Sequence, residues 1–253
     1  MSLIKACVIA FSMYSKIPVP QFAWKDKDMR YVMFFFPWVG IVIGAVTMLW
    51  AWVADHFTCG RPCFVLIGVA IPLLLSGGIH VDGFLDTMDA FHSYQDREKK
   101  LEILQDPHIG AGSVISLVLY YLIFLAAFTQ LNRRDILALM AAGYYLSRIL
   151  SAIGVVTLKC AKTEGLLYLF ADKAQERVVK TGLYVQLVLC AAFMLWQSLL
   201  AGGVVLLGGI ATFFYYRYRS YRELGGITGD TAGYFVTVCE GVTAVLLAVL
   251  SVV

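Results

Sequence analysis

The strongest constraint on the fold of this chain is its series of long apolar segments. Each runs for about 18–24 residues, and a helix of that length crosses the roughly 30 Å hydrocarbon core of a bilayer. The composition agrees, since 60% of the 253 residues are hydrophobic and only 15% are charged. The sequence therefore predicts an all-α, polytopic integral membrane bundle that forms one domain over residues 1–253, and it argues against a large soluble core.

About seven spans are predicted, together with a shorter N-terminal segment. The spans are Tyr31–Ala54, Cys63–His80, Ile109–Leu131, Ile136–Val156, Gly182–Leu200, Gly203–Tyr216 and Thr231–Val252. The sixth is short, so a tilted helix or a merger with its neighbour is an alternative. No small-residue cleavage site of a signal peptide follows the run Leu3–Met13. Because Pro18 and Pro20 follow instead, we expect an interfacial or re-entrant segment there.

Lysine and arginine divide unevenly between the two faces that this span order creates. The connections 14–30, 81–108, 157–181 and 217–230 carry 15 of these residues, whereas the opposite face carries three, Arg61, Arg133 and Arg134. Loops rich in lysine and arginine stay on the cytoplasmic side. We therefore expect the basic face to lie in the cytoplasm. The net charge of +3 is too small to indicate a nucleic-acid partner.

Three carboxylates follow the second span within eight residues, namely Asp82, Asp86 and Asp89. On a helix they share one face at i, i+4 and i+7. Because like charges at this spacing repel one another, we expect a bound divalent cation. Carboxylate oxygens suit Mg²⁺, which usually takes one or two carboxylates and adds water and substrate phosphate. The alternative is a solvated loop with incidental aspartates.

His80 stands two residues before Asp82. A lone histidine is more often a hydrogen-bonded core residue than a ligand. Its functional alternative is to orient a carboxylate or to contact a phosphate.

Two glycine-bearing turns are candidates for phosphate binding. The first follows an amphipathic stretch that begins at Arg97, a candidate substrate contact, and it places Gly110 at the start of a span. Backbone N–H groups at such a position suit a phosphate, although glycine is also simply common there. Asp106 in this turn is either a fourth carboxylate of the site or a helix-end residue.

The second turn is the segment Leu224–Gly233, which opens the last span. Either Thr228 or Asp230 is a candidate N-cap. The functional alternative is a nest of N–H groups for phosphate, formed by Gly226, Thr228 and Gly229, with Asp230 as a metal ligand or general base.

Two charged residues, Arg148 and Glu240, lie inside predicted spans. Burying either in lipid is costly, so each needs a partner or a polar cavity. They pair with each other, or Arg148 reaches a substrate phosphate. Lys162 and Glu164 are candidates for the mouth of the same site. Metal-binding carboxylates, glycine turns and cations together predict a membrane enzyme that splits or transfers a phosphoanhydride with Mg²⁺.

Seven ordered motifs resemble those of the cobalamin synthase family, whose members are adenosylcobinamide-GDP ribazoletransferases. They are Ser15–Pro20, Phe36–Gly40, Gly78–Gly83 with Asp86 and Asp89, Leu101–Gly110, Ser147–Arg148, Glu164–Gly165, and Gly225–Asp230 with Glu240. The chain departs from the family pattern at Ala90, at Gln105, where a basic residue is expected, and at Pro107-His108. These departures put a phosphate contact by the 105–108 turn in doubt.

The resemblance implies the last assembly step of the cobalamin nucleotide loop in a bacterial inner membrane. The implied substrates are adenosylcobinamide-GDP and α-ribazole or its 5′-phosphate, and GMP leaves. Asp82, Asp86 and Asp89 are expected to hold Mg²⁺, with one of them or Asp230 as the base. The departing GMP is expected to meet Arg148 and the loop at Gly225–Gly229. Partner chains are expected to be a second copy or other corrinoid-assembly enzymes. The alternatives are a CDP-alcohol phosphotransferase that makes phospholipid and a cation or metabolite transporter.

Overall fold

The computed structural model describes residues 2–20, 26–162, 167 and 176–252. In this part of the chain the helices are α1 Ser2–Tyr14, α2 Asp26–Met29, α3 Val32–His56, α4 Arg61–Ser76, α5 Ile79–His92, α6 Arg97–Ile103, α7 Ala111–Phe128, α8 Arg134–Thr157, α9 Glu176–Gln197, α10 Leu199–Leu224 and α11 Gly229–Val252. The described residues contain no β-strand and one isolated parallel bridge, between Cys160 and Ile227. The prediction of an all-α fold is confirmed.

Six of these helices are long and apolar enough to cross a membrane, namely α3, α7, α8, α9, α10 and α11. Helices α4 and α5 pass the same test only as a pair that is bent by 89°, which would make a seventh span. Many large apolar side chains on α7, α9 and α10 are more than half exposed, including Ile115, Val188 and Leu207. Such faces suit contact with lipid, and the chain is a polytopic membrane bundle as predicted.

The second predicted span, Cys63–His80, is wrong as a continuous helix. Helix α4 ends at Ser76, and the next two residues, Gly77 and Gly78, have positive φ angles of 66° and 78°. Glycine adopts this left-handed conformation without the steric cost that a Cβ brings. His80 therefore belongs to the following helix, α5, which runs nearly perpendicular to α4.

The sixth predicted span, Gly203–Tyr216, is also wrong in its bounds. Helix α10 extends from Leu199 to Leu224 and includes 26 residues. Its last turns carry Arg217, Arg219 and Arg222, which a hydropathy criterion excludes. A helix can continue beyond the hydrocarbon core of the membrane as long as its backbone hydrogen bonds are satisfied. Hydropathy therefore predicts where the apolar segment ends and not where the helix ends.

The connections gather at two ends of the bundle, as the span order predicts. At one end, Arg134 pairs with Asp55 at 2.7 Å, and Arg61 donates to the carbonyl of Thr129 at 2.5 Å. At the other end, the Lys100 ammonium lies 2.5 Å from the Glu223 carboxylate. The end with Lys100 also carries the acidic helix α5, so we call it the site end. Its orientation towards the cytoplasm stays a prediction.

Helix α8 is the most buried of the candidate spans. Helix α3 packs closely against it through two glycines four residues apart, Gly40 and Gly44. A Cβ at Gly44 would lie 2.7 Å from the carbonyl oxygen of Ala141, and one at Gly40 would overlap the carbonyl of Tyr144. Small residues at this spacing let two membrane helices approach backbone to backbone.

The acidic helix α5 packs against the first turns of α11, also through glycine. A Cβ at Gly83 would lie 2.7 Å from the carbonyl oxygen of Asp230, and one at Gly233 would lie 3.2 Å from that of His80. The hydroxyl of Thr237 donates to the same His80 carbonyl at 3.1 Å. This contact brings two distant acidic motifs of the sequence to one place.

Candidate active site

A cavity of about 440 Å³ opens at the site end of the bundle. Helices α1, α3, α5, α8 and α11 line it, together with residues that follow α6 and α8. The lining side chains with polar atoms are Tyr14, His80, Asp82, Gln105, Ser151, Cys160, Lys162, Thr228 and Asp230. Its volume lies in the range of about 300–1,000 Å³ that is usual for pockets that bind small molecules.

Four carboxylates gather beside this cavity, and two of them line it. Asp82 reaches it from α5 and Asp230 from α11. Asp86 lies one turn after Asp82 and feels the negative charges of Asp82, Asp230 and Asp89. The predicted helix over the acidic triplet is confirmed, and the loop alternative is wrong. Because these like charges repel one another, their proximity needs compensation.

Asp89 has a partner within the protein. Its carboxylate oxygen accepts the backbone N–H of Gly110 at 2.7 Å, and neither residue lines the cavity. A phosphate contact by this Gly110 N–H is therefore not supported, since the carboxylate already uses the donor. In this arrangement Asp89 holds the start of α7 against α5.

Reciprocal hydrogen bonds close the first turn of α11. The Thr231 N–H donates to the Thr228 hydroxyl at 3.2 Å, and the Thr228 N–H donates to the Thr231 hydroxyl at 2.9 Å. Thr228 is therefore the N-cap, in an arrangement like a capping box. Its hydroxyl also donates to Asp230 at 3.4 Å. Gly229, the next residue, lines the cavity, and a Cβ there would meet nothing within 4 Å.

Lys162 supplies a cation to the cavity. Its ammonium donates to the carbonyl oxygen of Leu101 at 3.1 Å and interacts with the Asp230 charge. Gln105 lines the same cavity at the position where the family pattern led us to expect a basic residue. Lys162, which follows α8, places a positive charge in this region.

The family model for cobalamin-5-phosphate synthase matches residues 6–249, which is nearly the whole chain. The chain belongs to this family.

Curated relatives agree with that assignment. An adenosylcobinamide-GDP ribazoletransferase of Lachnoclostridium phytofermentans is 40% identical over 232 residues, which cover 92% of this chain and 88% of the relative. A protein of the same name from Clostridium perfringens is 31% identical over 249 residues, covering 97% and 98%. One from Klebsiella pneumoniae is 30% identical over 238 residues, covering 91% and 94%. No solved structure matches the chain. The predicted resemblance is confirmed, and the phospholipid and transport alternatives gain no support.

The carboxylates at and beside the cavity fit the Mg²⁺ that we expect for this family. Among the residues that the structure describes, no three His, Cys, Asp or Glu side chains are grouped to hold a metal ion. Mg²⁺ does not need three, because it usually takes one or two carboxylates and completes its octahedron with water and phosphate oxygens. Asp82 and Asp86, one helical turn apart and faced by Asp230, offer such a pair.

Arg148 and Glu240, both in family motifs, form a buried ion pair. The guanidinium lies 2.6 Å from the carboxylate, and the two side chains are 1% and 9% exposed. Arg148 also donates to the carbonyl oxygen of Tyr144 at 2.8 Å. It borders a small void beside His80 and not the large cavity. Of the two alternatives for Arg148, the structure shows the pair and gives no support to a phosphate contact.

His80 borders both the large cavity and this small void. Its side chain is buried, and its Nε2 has no hydrogen-bond partner among the described residues. The structure brings His80 to the cavity, and its predicted supporting role, orienting a carboxylate or contacting a phosphate, stays a prediction.

Two further predicted site residues, Arg97 and Gly226, lie outside the cavity lining. The Arg97 guanidinium fills the space that a Cβ at Gly225 would need, and Gly225 has a φ of 76°, which favours glycine. Gly226 lies under the backbone of residues 159–161, and Ile227 donates to the Lys159 carbonyl at 2.9 Å. These contacts give Arg97 and Gly226 structural roles in holding the loop before α11.

Asp106 is exposed and bonds to its neighbour His108. The His108 N–H donates to its carboxylate at 2.9 Å and holds the pKa of Asp106 below its usual value. Asp106 therefore acts as a turn residue, the alternative that we raised for it. Glu164 lies outside the described residues, so its predicted role stays a prediction.

Several cavity residues carried no signal in the sequence. Tyr14, Ser151 and Cys160 are far apart in the chain and belong to no charged or glycine-rich motif. Only the packing of α1, α8 and the loop after α8 around one space shows that they share it.

Proposed function

We propose that the chain is an Mg²⁺-dependent adenosylcobinamide-GDP ribazoletransferase. It transfers the cobinamide phosphate group to the ribose 3′-hydroxyl of α-ribazole or of its 5′-phosphate. The products are adenosylcobalamin, or its 5′-phosphate, and GMP. The observation that carries this proposal is the meeting of Asp82, Asp230 and Lys162 in one cavity of a chain that belongs to this family.

Asp82 and Asp86 are the residues that would hold Mg²⁺. The ion would neutralise charge on the pyrophosphate oxygens, which is the main electrostatic demand of phosphoryl transfer. Asp86 feels three neighbouring carboxylate charges, so a cation at this position relieves repulsion that the protein otherwise carries. Asp89 is left to its bond with Gly110 and is not needed as a ligand.

Asp230 is the best-placed general base. It lines the cavity together with Asp82, and the Thr228 hydroxyl donates to it at 3.4 Å. A carboxylate held in this way accepts the proton of the attacking 3′-hydroxyl while the bond to phosphorus forms. The bond that breaks joins the same phosphorus to the oxygen of the leaving GMP.

Lys162 and the N-terminus of α11 favour the departing GMP. The Lys162 ammonium adds a positive charge that its bond to the Leu101 carbonyl fixes in place. The helix end at Gly229 adds the partial positive charge of a helix N-terminus. Fixed charges of this kind stabilise negative charge that develops in the transition state, and they need no reorganisation during the reaction.

The site end of the bundle is proposed to face the cytoplasm of a bacterial cell. Fifteen of the 20 lysines and arginines fall in the segments that the sequence assigns to this face, and such a bias is the cytoplasmic signature of membrane proteins. The donor carries a charged pyrophosphate and is soluble, so the site needs to open to the aqueous compartment that contains it.

The test is a turnover assay on the purified protein in detergent. Adenosylcobinamide-GDP, α-ribazole and Mg²⁺ are supplied, and GMP release and the corrinoid product are followed by chromatography. We expect equal amounts of GMP and cobalamin product that depend on both α-ribazole and Mg²⁺. A folded sample that forms no product with Mg²⁺ present contradicts the proposal, and turnover that persists in excess chelator contradicts the metal requirement.

A further inference from the structure

The size of the cavity limits which substrate it encloses. At about 440 Å³ it lies near the lower end of the usual range for small-molecule pockets. A ribazole is a nucleoside and is small enough for such a space. The donor carries a corrin ring, an adenosyl group and GDP, which together are several times larger. Most of the donor therefore lies outside the cavity, and the enclosed volume suits the acceptor.

One wall of the cavity is apolar and aromatic. Helices α1 and α3 contribute Met13, Tyr14, Met33 and Phe36 to the lining, with no charged side chain among them. The rings of Tyr14 and Phe36 have centroids 4.4 Å apart, and the Tyr14 ring is nearly parallel to that of His80 at 6.3 Å. Aromatic faces and adaptable methionine side chains are the surroundings that a flat heterocycle prefers.

His80, which has an unsatisfied ring nitrogen, lies next to this wall. The side chain is only 7% exposed, and its Nε2 has no hydrogen-bond partner in the described part of the chain. A buried polar atom without a partner is costly, and a ligand atom removes that cost. An azole base has one ring nitrogen with a free lone pair, which the N–H of a histidine can bond.

Helix α5 connects the aromatic wall to the acidic one. His80 contacts the rings of Tyr14 and Phe36, while Asp82, two residues later, lines the same cavity beside Asp230. A nucleoside bound with its base against the aromatic wall would therefore have its ribose hydroxyls near Asp82 and Asp230.

We propose that Met13, Tyr14, Met33, Phe36 and His80 form a subsite for the planar azole base of the ribazole acceptor. Bound there, the acceptor directs its ribose towards Asp82 and Asp230, while the corrin ring of the donor stays outside. This inference rests on the proposed function, because it takes the acceptor from that reaction.

The test compares two adjacent phenylalanines of α3. Phe36 lines the cavity, whereas Phe35 packs against Phe34 and Trp38 and does not line it. Both are buried, at 3% and 8% exposure, so Phe36→Leu and Phe35→Leu are matched changes. Tyr14→Leu is the second variant within the subsite. Binding of α-ribazole to each purified protein is measured by calorimetry without donor or metal, and thermal unfolding checks the fold.

We expect Phe36→Leu and Tyr14→Leu to weaken α-ribazole binding on the order of tenfold, the size of effect usual when one base-stacking ring is lost. Phe35→Leu should stay within about twofold of wild type. In turnover, the same two variants should raise the KM for α-ribazole and leave that for the donor unchanged. Equal binding by all folded variants, or an effect on the donor KM alone, would overturn the subsite.

The binding experiment separates this inference from the proposed function. Selective loss of α-ribazole binding in a protein without turnover would support the subsite while contradicting the reaction. Normal turnover with an unchanged KM for α-ribazole in Phe36→Leu and Tyr14→Leu would support the reaction while contradicting the subsite.

Discussion

At the scale of single residues, the acidic triplet divides into two roles. Asp82 lines the cavity beside Asp230, whereas Asp89 accepts a hydrogen bond from Gly110 at the start of α7. The sequence alone predicted the same role for all three aspartates, because their spacing places them on one helix face. What distinguishes them is the element that each one meets across that face.

Asparagine substitutions should separate these roles. Asp82→Asn removes a charge from the cavity, and we expect kcat to fall by a factor on the order of 100 or more. Asp89→Asn keeps an oxygen that accepts the Gly110 N–H, so kcat should fall far less. Asp55→Asn, in an exposed ion pair at the opposite end, is the control and should leave kcat unchanged. Wild-type kcat in Asp82→Asn contradicts the proposed metal site.

The buried pair of Arg148 and Glu240 leads to a second prediction at this scale. Arg148→Met leaves the Glu240 carboxylate buried without its partner, so stability should fall by about 3–5 kcal/mol. In the double variant with Glu240→Met, much of this loss should be recovered. Thermal unfolding in detergent measures both variants. Full stability of Arg148→Met would show that the pair is not structural and would favour the alternative, in which Arg148 contacts a substrate phosphate.

At the scale of elements, the site depends on a short helix that turns inside the bundle. Helix α5 leaves α4 at 89° after the two left-handed glycines, Gly77 and Gly78, and then packs on the start of α11. At Gly83 the helix meets the backbone of Asp230 directly. This contact places carboxylates from two helices beside one cavity.

A methyl group at this contact should disturb the site. Gly83→Ala places a Cβ 2.7 Å from the Asp230 carbonyl oxygen, so α5 and α11 must separate. We expect a loss of about 1–3 kcal/mol in stability and a clear fall in kcat. Gly60→Ala is the control, because a Cβ there is 3.9 Å from its nearest neighbour and the residue lies at the opposite end. Unfolding temperatures and turnover are measured together, and equal behaviour of the two variants would refute the close contact.

At the scale of the whole molecule, the candidate site and most of the basic residues lie at the same end of the bundle. The acidic helix, Lys162 and the loop before α11 all belong to the end that carries most of the lysines and arginines. The opposite end has few charges, and two of its ion pairs are Arg134 with Asp55 and Arg133 with Asp135. The candidate site and most of the basic residues therefore share one end of the bundle.

Cysteine labelling in intact cells tests the proposed orientation. In a background with Cys59 and Cys63 replaced by serine, Arg133→Cys should react with a membrane-impermeant maleimide added outside. Lys99→Cys, on the site end, should react only after the cells are permeabilised. Both positions are exposed, so access depends on the side of the membrane alone. The reverse pattern would place the site outside the cytoplasm.

The sequence by itself determined the class of fold, the approximate spans and the helix that carries the acidic triplet. Hydropathy is a local property, and so is the spacing of Asp82, Asp86 and Asp89 on one helix. The ordered motifs indicated the family, and the family model matches residues 6–249 of the chain. Local patterns were also sufficient to identify Thr228 as a candidate cap for α11.

Only the tertiary structure decided which of these residues meet. Gly77 and Gly78 break a run that hydropathy treats as continuous, because a change of backbone direction leaves the mean hydropathy unchanged. The pairing of Arg148 with Glu240, 92 residues apart, and the bond of Asp89 to Gly110 depend on how the helices pack. The cavity wall at Tyr14 and Phe36 has the same origin, since an apolar side chain in an apolar helix shows its neighbours only once the bundle has formed.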